Sequence, residues 1–340
     1  MRNAWVLAFL VACGDNSAAP VDASRGHGDG SLDVPADAAG PYPTLFDTGL
    51  CVDRACTQIT AGIVEYAPNY ALWADAASKR RWYSLPAGAT IDTTDMDHWV
   101  FPQGTRFWKE FSVGGAKIET RYIEKTGPGN TAADWFYMPY QWNAAEDDTI
   151  EVPFGVMNAN GTSHDIPSKF QCKGCHENLQ PTRLLGFGAI QLDGATPVSL
   201  QDLIDQNLLS APPTGAAPYF PVPGNATVKA ALGYLHANCG HCHNPTSQVY
   251  ISVGVMMQLR LTVDALAAPT DTPPYQTAVG ATATQPIDGL TEIITPDDTA
   301  TSIMIDRFET TSIANHMPAL GSKMMDPTGD ATLRAWIDSL

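Results

Sequence analysis

A chain of 340 residues with 36 acidic against 19 basic side chains, and a formal net charge of −17, can hold two or three domains and a sizeable core. The charge excludes ordinary nucleic-acid binding, because phosphate contacts need clustered Lys and Arg. A protein partner that presents a basic surface fits better, through complementary steering.

The chain opens with Met1 and Arg2, then an apolar run from Ala4 to Ala12. This run is too short for a permanent membrane span and reads as an export signal over residues 1–13. Leu10-Val11-Ala12-Cys13 resembles a bacterial lipobox, which would make Cys13 the lipidated first residue of the mature protein. The alternative is an ordinary cleaved signal with a chance Cys. Residues 14–43 are rich in Gly, Ala, Asp, Ser and Pro and are predicted to form a disordered tether. The pair Cys51 and Cys56 lies in a loop-like stretch and is expected to close a local disulfide after export.

Over residues 44–165, short aromatic and β-branched runs alternate with turn signals, including 80–85, 105–111, 117–123 and 135–138. The period of two predicts strands, and Gly114-Gly115 predicts a hairpin turn. The expected unit is an antiparallel, sandwich-like β domain whose aromatics form core and cross-strand pairs. Residues 166–225 are irregular. The stretch 166–171 is Pro-broken and too short for a helix, whereas Ser199 should cap a helix over 199–209 and 211–224 reads as a linker. Residues 226–340 look more regular. Asn225 should cap a helix to about Asn238, 268–288 reads as loop, 302–308 as a short helix, and Asp330 should cap a final amphipathic helix carrying Leu333, Trp336, Ile337 and Leu340. The small residues Ala230, Ala231 and Gly233 should let another helix approach. The fold class is therefore α+β and multidomain: a β domain followed by two mostly α-helical modules.

Each module carries the same five-residue pattern, Cys172-Lys-Gly-Cys175-His176 and Cys239-Gly-His-Cys242-His243. C-x-x-C-H is the attachment signature of c-type haem. Two thiols add across the vinyl groups of one haem, and the following His binds iron. Two other readings compete. A four-thiolate zinc site leaves both histidines unexplained. Thiol exchange, suggested by Cys-Gly-His-Cys, needs a strand before the motif, and here a predicted helix precedes it. The reading therefore predicts two covalent haem c groups, held by Cys172, Cys175, Cys239 and Cys242, with His176 and His243 as axial ligands.

For the second iron, Met317-Pro318 in a loop before the last helix makes Met317 the sixth-ligand candidate, with Met324, Met325 and His316 as alternatives. For the first iron, His164, Met157, His98, Met138 and His236 remain unranked, and a five-coordinate iron stays open. His241, between two haem thiols, is expected to face solvent or backbone.

The stretches KRRWYSLPAG at 79–88, FPQGTRFWKEF at 101–111, ETRYI at 119–123, YQWN at 140–143, IPSKFQCKGCH at 166–176, NCGHCHNP at 238–245 and MPALG at 317–321 occur in the order found in a bacterial group of diheme c-type cytochromes with no assigned reaction. The chain resembles that group from Thr44 to its end, and its last part resembles class I cytochromes c. The resemblance implies two covalent haems, a periplasmic or envelope location, and a parallel β-helix repeat protein as a possible partner. The chain departs from the group at His316, where a second Met is expected, and at Ala319, where an acidic residue is expected. Three functions compete: an electron carrier, a peroxidase-like or other haem oxidoreductase working at a five-coordinate first haem, and a haem-bearing binding module that uses the β domain.

Overall fold

The computed structural model describes residues 42–312 and 314–340. The export signal with Cys13, and the tether up to residue 41, lie outside the described residues. The tether's last two residues belong to the fold: Pro43 accepts a hydrogen bond from the Tyr140 hydroxyl at 2.8 Å, and the Lys169 ammonium lies 4.2 Å from the Tyr42 ring centroid.

Six strands form one antiparallel meander in chain order: β1 (Val64–Glu65), β2 (Ser78–Ser84), β3 (Arg106–Val113), β4 (Ala116–Lys125), β5 (Trp135–Trp142) and β6 (Thr149–Glu151). Gly114 and Gly115 join β3 to β4 with φ of 60° and 90°, which glycine adopts without the Cβ clash of other residues. Register sorts the side chains by period two. Trp82, Trp108, Tyr122 and Met138 stand side by side on the outer face. Tyr83, Phe107, Ile123 and Tyr137 form the matching row on the inner face.

A sandwich was expected, but neither layer against this sheet is a second sheet. The outer row packs on Leu45, Leu50 and Cys56 of the N-terminal loops. There the Trp108 indole donates to Thr48 Oγ1 at 2.9 Å, and Cys51 is bonded to Cys56. The inner row is covered by residues 184–209, which include helices α2 (Ala189–Leu192) and α3 (Leu200–Asp205), numbered after α1 (Lys169–His176). Phe187 fills the centre of this layer, with its ring centroid 4.9 Å from those of Tyr66 and Tyr83 and 5.3 Å from that of Phe107. The boundary expected at 165/166 therefore runs through one continuous core. The physical reason is that Leu184, Phe187, Leu192, Leu200 and Leu203 belong to short, separate elements and bury their side chains in one cluster with the sheet residues.

The C-terminal part is organised by α4 (Ala226–Asn238) and α8 (Pro327–Ile337), which pack together through Leu232, Leu235, Leu333, Trp336 and Ile337. Asn225 caps α4, its side chain accepting from Val228 N–H at 3.0 Å. Asp326, not Asp330, caps α8, and Asp330 instead pairs with Arg334 one turn on at 3.0 Å. The close approach expected at Gly233 is made by the Tyr70 ring rather than by a helix, while α8 comes close at Gly329, beneath Tyr234. Between α4 and α8 lie α5 (Gln248–Ile251), α6 (Pro273–Ala278), the hairpin β7 (Thr282–Ile287) with β8 (Leu290–Glu292), and α7 (Ile303–Glu309). Residues 268–288, expected as loop, thus contain a helix and a strand; the Pro pair at 273–274 starts α6 where no N–H is needed. Among the described residues no helix is long and apolar enough to cross a membrane.

Phe187→Ala should cost about 3–5 kcal/mol, the usual loss for a large buried aromatic. Urea denaturation checks this: a loss below about 1 kcal/mol would mean that 184–209 and the sheet do not share a core.

Candidate functional site: two cysteine–histidine motifs side by side

The first motif is built on α1. Ser168 caps it, accepting from Gln171 N–H at 3.3 Å while Gln171 Oε1 accepts from Ser168 N–H at 2.9 Å. The Pro-broken stretch before Cys172 thus starts a helix instead of remaining irregular, because Pro167 lies just outside the cap. Three residues apart on this helix, Cys172 and Cys175 share a face. His176 closes the helix and is buried. Its Nδ1 donates to the Arg183 carbonyl at 2.7 Å, which leaves Nε2 as the bare nitrogen. The Tyr137 ring packs at 5.4 Å from it.

The second motif follows α4 as a tight turn. Cys242 and His243 N–H both donate to the Cys239 carbonyl, at 3.1 and 2.9 Å. At Gly240 a Cβ would come within 2.7 Å of the His236 carbonyl and 2.8 Å of Arg260 Cα, so only glycine fits. The Asn244 amide ties the turn shut, donating to the carbonyls of Gly240 and His241 at 2.9 Å each.

The same amide also reaches the Asn178 carbonyl at 3.1 Å, two residues past His176. Asn178 Oδ1 in turn accepts from Gln248 N–H at 2.9 Å, and Gln180 N–H donates to Thr246 Oγ1 at 3.3 Å. The two motifs are therefore laced together by the residues just after them.

The thiols are not activated. Burial pushes Cys172 up to about 11 and Cys239 and Cys242 to about 12, and raises Cys175 as well. Thiol-exchange enzymes need the opposite shift. Among the described residues no three His, Cys, Asp or Glu side chains are grouped to hold a metal ion, so the four thiols are not gathered as a zinc site requires.

The sixth-ligand candidates separate. Met138 lies in the outer-face core, across the sheet from His176, and Met157 is 75% exposed. His98 Nδ1 bonds Asp95 at 2.9 Å, and His164 Nε2 bonds Glu119 at 2.9 Å. His236 Nδ1 accepts from Leu261 N–H at 3.1 Å, so its proton is on Nε2. Met324 and Met325 are exposed. Met317 is half-buried, and its N–H donates to the Arg307 carbonyl at 2.8 Å. His316 Nδ1 donates to the Thr310 carbonyl at 2.9 Å, while its buried Nε2 has no partner among the described residues. The loop bearing both residues lies across the first motif, with Leu320 against Gly174. His241 does not face solvent. It is buried against the Ala237 backbone and lines, with His236, Arg260 and Thr182, a partly open cavity.

Sequence reasoning missed Arg183, Asn178, Asn244 and a set of basic side chains on the inner sheet face. Of these only the last left a signal, a charged residue inside an apolar period-two row, Phe107-x-Lys109-x-Phe111. No family model, curated protein or solved structure matches the chain.

Burial holds His176 and His236 down at about 3 and His241 and His243 at about 4, so all four fold neutral. An unfolded His titrates near about 6.5 and binds more protons between those values, so stability must rise with pH in that window. With all four motif cysteines changed to Ala, the bare polypeptide should have a lower urea midpoint at about pH 5 than at about pH 7.5. An equal or higher midpoint at the acidic value would contradict the neutral burial of these rings.

Proposed function

We propose that this chain is a diheme c-type cytochrome that passes electrons within the bacterial cell envelope. In this reading Cys172 and Cys175 hold one haem c and Cys239 and Cys242 the other. His176 and His243 bind the two irons, and Met317 is the sixth ligand of the second, with His316 as its competitor. Cys13 supplies a lipid anchor, and partners dock by basic surfaces on an acidic body. Each haem would supply a one-electron couple.

The observation that carries the reading is the lacing of the two motifs through Asn178 and Asn244. Groups attached to both would lie close together, as a relay needs. The polar atoms fit absent groups too. The buried, unpartnered side-chain atoms among the described residues include Tyr137 Oη, Thr182 Oγ1, Arg183 Nη1, His243 Nδ1 and His316 Nε2, on or beside the two motifs. The chain's own work is then to fix the His176 ring through the Arg183 carbonyl and to hold His176 and His243 in buried positions.

Visible and electron paramagnetic resonance spectra of the purified protein test the carrier. Both haems should be low-spin in both oxidation states; a high-spin first haem that binds cyanide would contradict a pure carrier and favour an oxidoreductase. Met317→Ala should abolish the weak near-infrared band of methionine–iron ligation. A persistent band would exclude Met317 as its source, and a wild-type protein without the band would assign the position to His316.

A further inference from the structure

Three basic side chains stand abreast on the inner face of the sheet. Arg81 on β2 pairs in register with Lys109 on β3, and Lys109 with Arg121 on β4. Adjacent strands are about 4.8 Å apart, so the row spans about 10 Å. Lys79 lies one step further along β2 on the same face and donates to the Leu72 carbonyl. Such a row is unexpected in a chain with a formal net charge of −17.

Only one carboxylate among the described residues answers it directly. Glu119 binds Arg121 with two bonds of 2.6 and 2.9 Å, and its Oε2 also bonds His164 at 2.9 Å. Arg81 is 6% exposed, yet it forms no ion pair or side-chain hydrogen bond among the described residues, and neither does Lys109. Like charges directly opposite one another on neighbouring strands repel, and partial burial weakens the screening. An arrangement of this kind persists where something negative completes it. Two members of the row sit in a defined place: Lys109 and Arg121 line one small cavity with His176, Tyr66 and Leu184, and Arg81 stands next to Lys109 by strand register.

We infer that Arg81, Lys109 and Arg121 form an anion-binding floor beside the first motif, built for a carboxylate or a small oxyanion. Arg forks match the paired oxygens of either group. Two sources share this chemistry: a propionate of the first haem, and a free oxyanion held next to that haem. The propionate source rests on the haem reading above; the cationic floor does not.

Titrating the purified full-length protein with sodium sulfate and sodium nitrite, by calorimetry and in the Soret band, tests the floor. A free oxyanion site gives saturable binding, weakened at least about tenfold in the Arg81→Gln/Lys109→Gln double variant. A propionate occupant blocks both salts in the wild type. It also makes the double variant lower the first haem's midpoint potential, because uncompensated negative charge favours the ferric state, while the second haem stays unchanged. Circular dichroism confirms that the variant is folded, and the wild-type titration needs no variant. Absence of salt binding together with an unchanged first potential overturns the inference. If the purified chain carries no haem, the haem reading fails, yet sulfate must still bind the bare floor; no binding then overturns this inference as well.

Discussion

The structure depends on one face of one sheet. The inner row Tyr83–Phe107–Ile123–Tyr137 is apolar and must be covered, and the cover is the segment that follows the first Cys-x-x-Cys-His motif. Burial of Phe187 and its neighbours fixes residues 184–209 on the sheet, which holds Arg183 where its carbonyl meets His176. The position of a ring nitrogen is thus set by aromatic packing several residues away. The covering layer is not an independent module, and the first motif has its environment because the sheet provides one wall of it.

The second constraint is the junction between motifs. Asn178 and Asn244 lie two residues and one residue after His176 and His243, and the bond from the Asn244 amide to the Asn178 carbonyl joins a helix end to a turn. Further ties run outward from this point. The Trp73 N–H donates to the Asn238 side chain at 2.7 Å, and Asp97 accepts from Val263 N–H at 3.1 and 3.0 Å through its two oxygens. The Asp75 carboxylate accepts Lys323 and Met324 N–H, fastening the Met317 loop to the N-terminal part of the fold. The described chain from Tyr42 on therefore behaves as one compact unit around two adjacent motifs.

Much of this was legible. Period-two alternation located β2 to β5, and Gly114-Gly115 marked the hairpin, because both signals are local. Asn225 and Ser199 marked helix starts for the same reason. The shared core was not legible, since the apolar residues of 184–209 fall in short elements whose partners are distant in sequence. The cap of α8 shifted from Asp330 to Asp326 because Pro327 is suited to a first helical position. Lys109 was readable only as one of two alternating sets. Which set faces a covered wall depends on the layer packed there, and that layer comes from beyond residue 180. For His241, expected to face solvent or backbone, the backbone is the outcome: it is buried against Ala237 and borders a cavity formed with residues 182–191.

Covalent attachment at both motifs is the property on which the proposed function rests. Intact-mass analysis of the mature protein after acid-acetone extraction should show a polypeptide that keeps its colour and carries the added mass of two haems. Loss of the colour to the solvent, or a mass equal to that of the bare polypeptide, would contradict it.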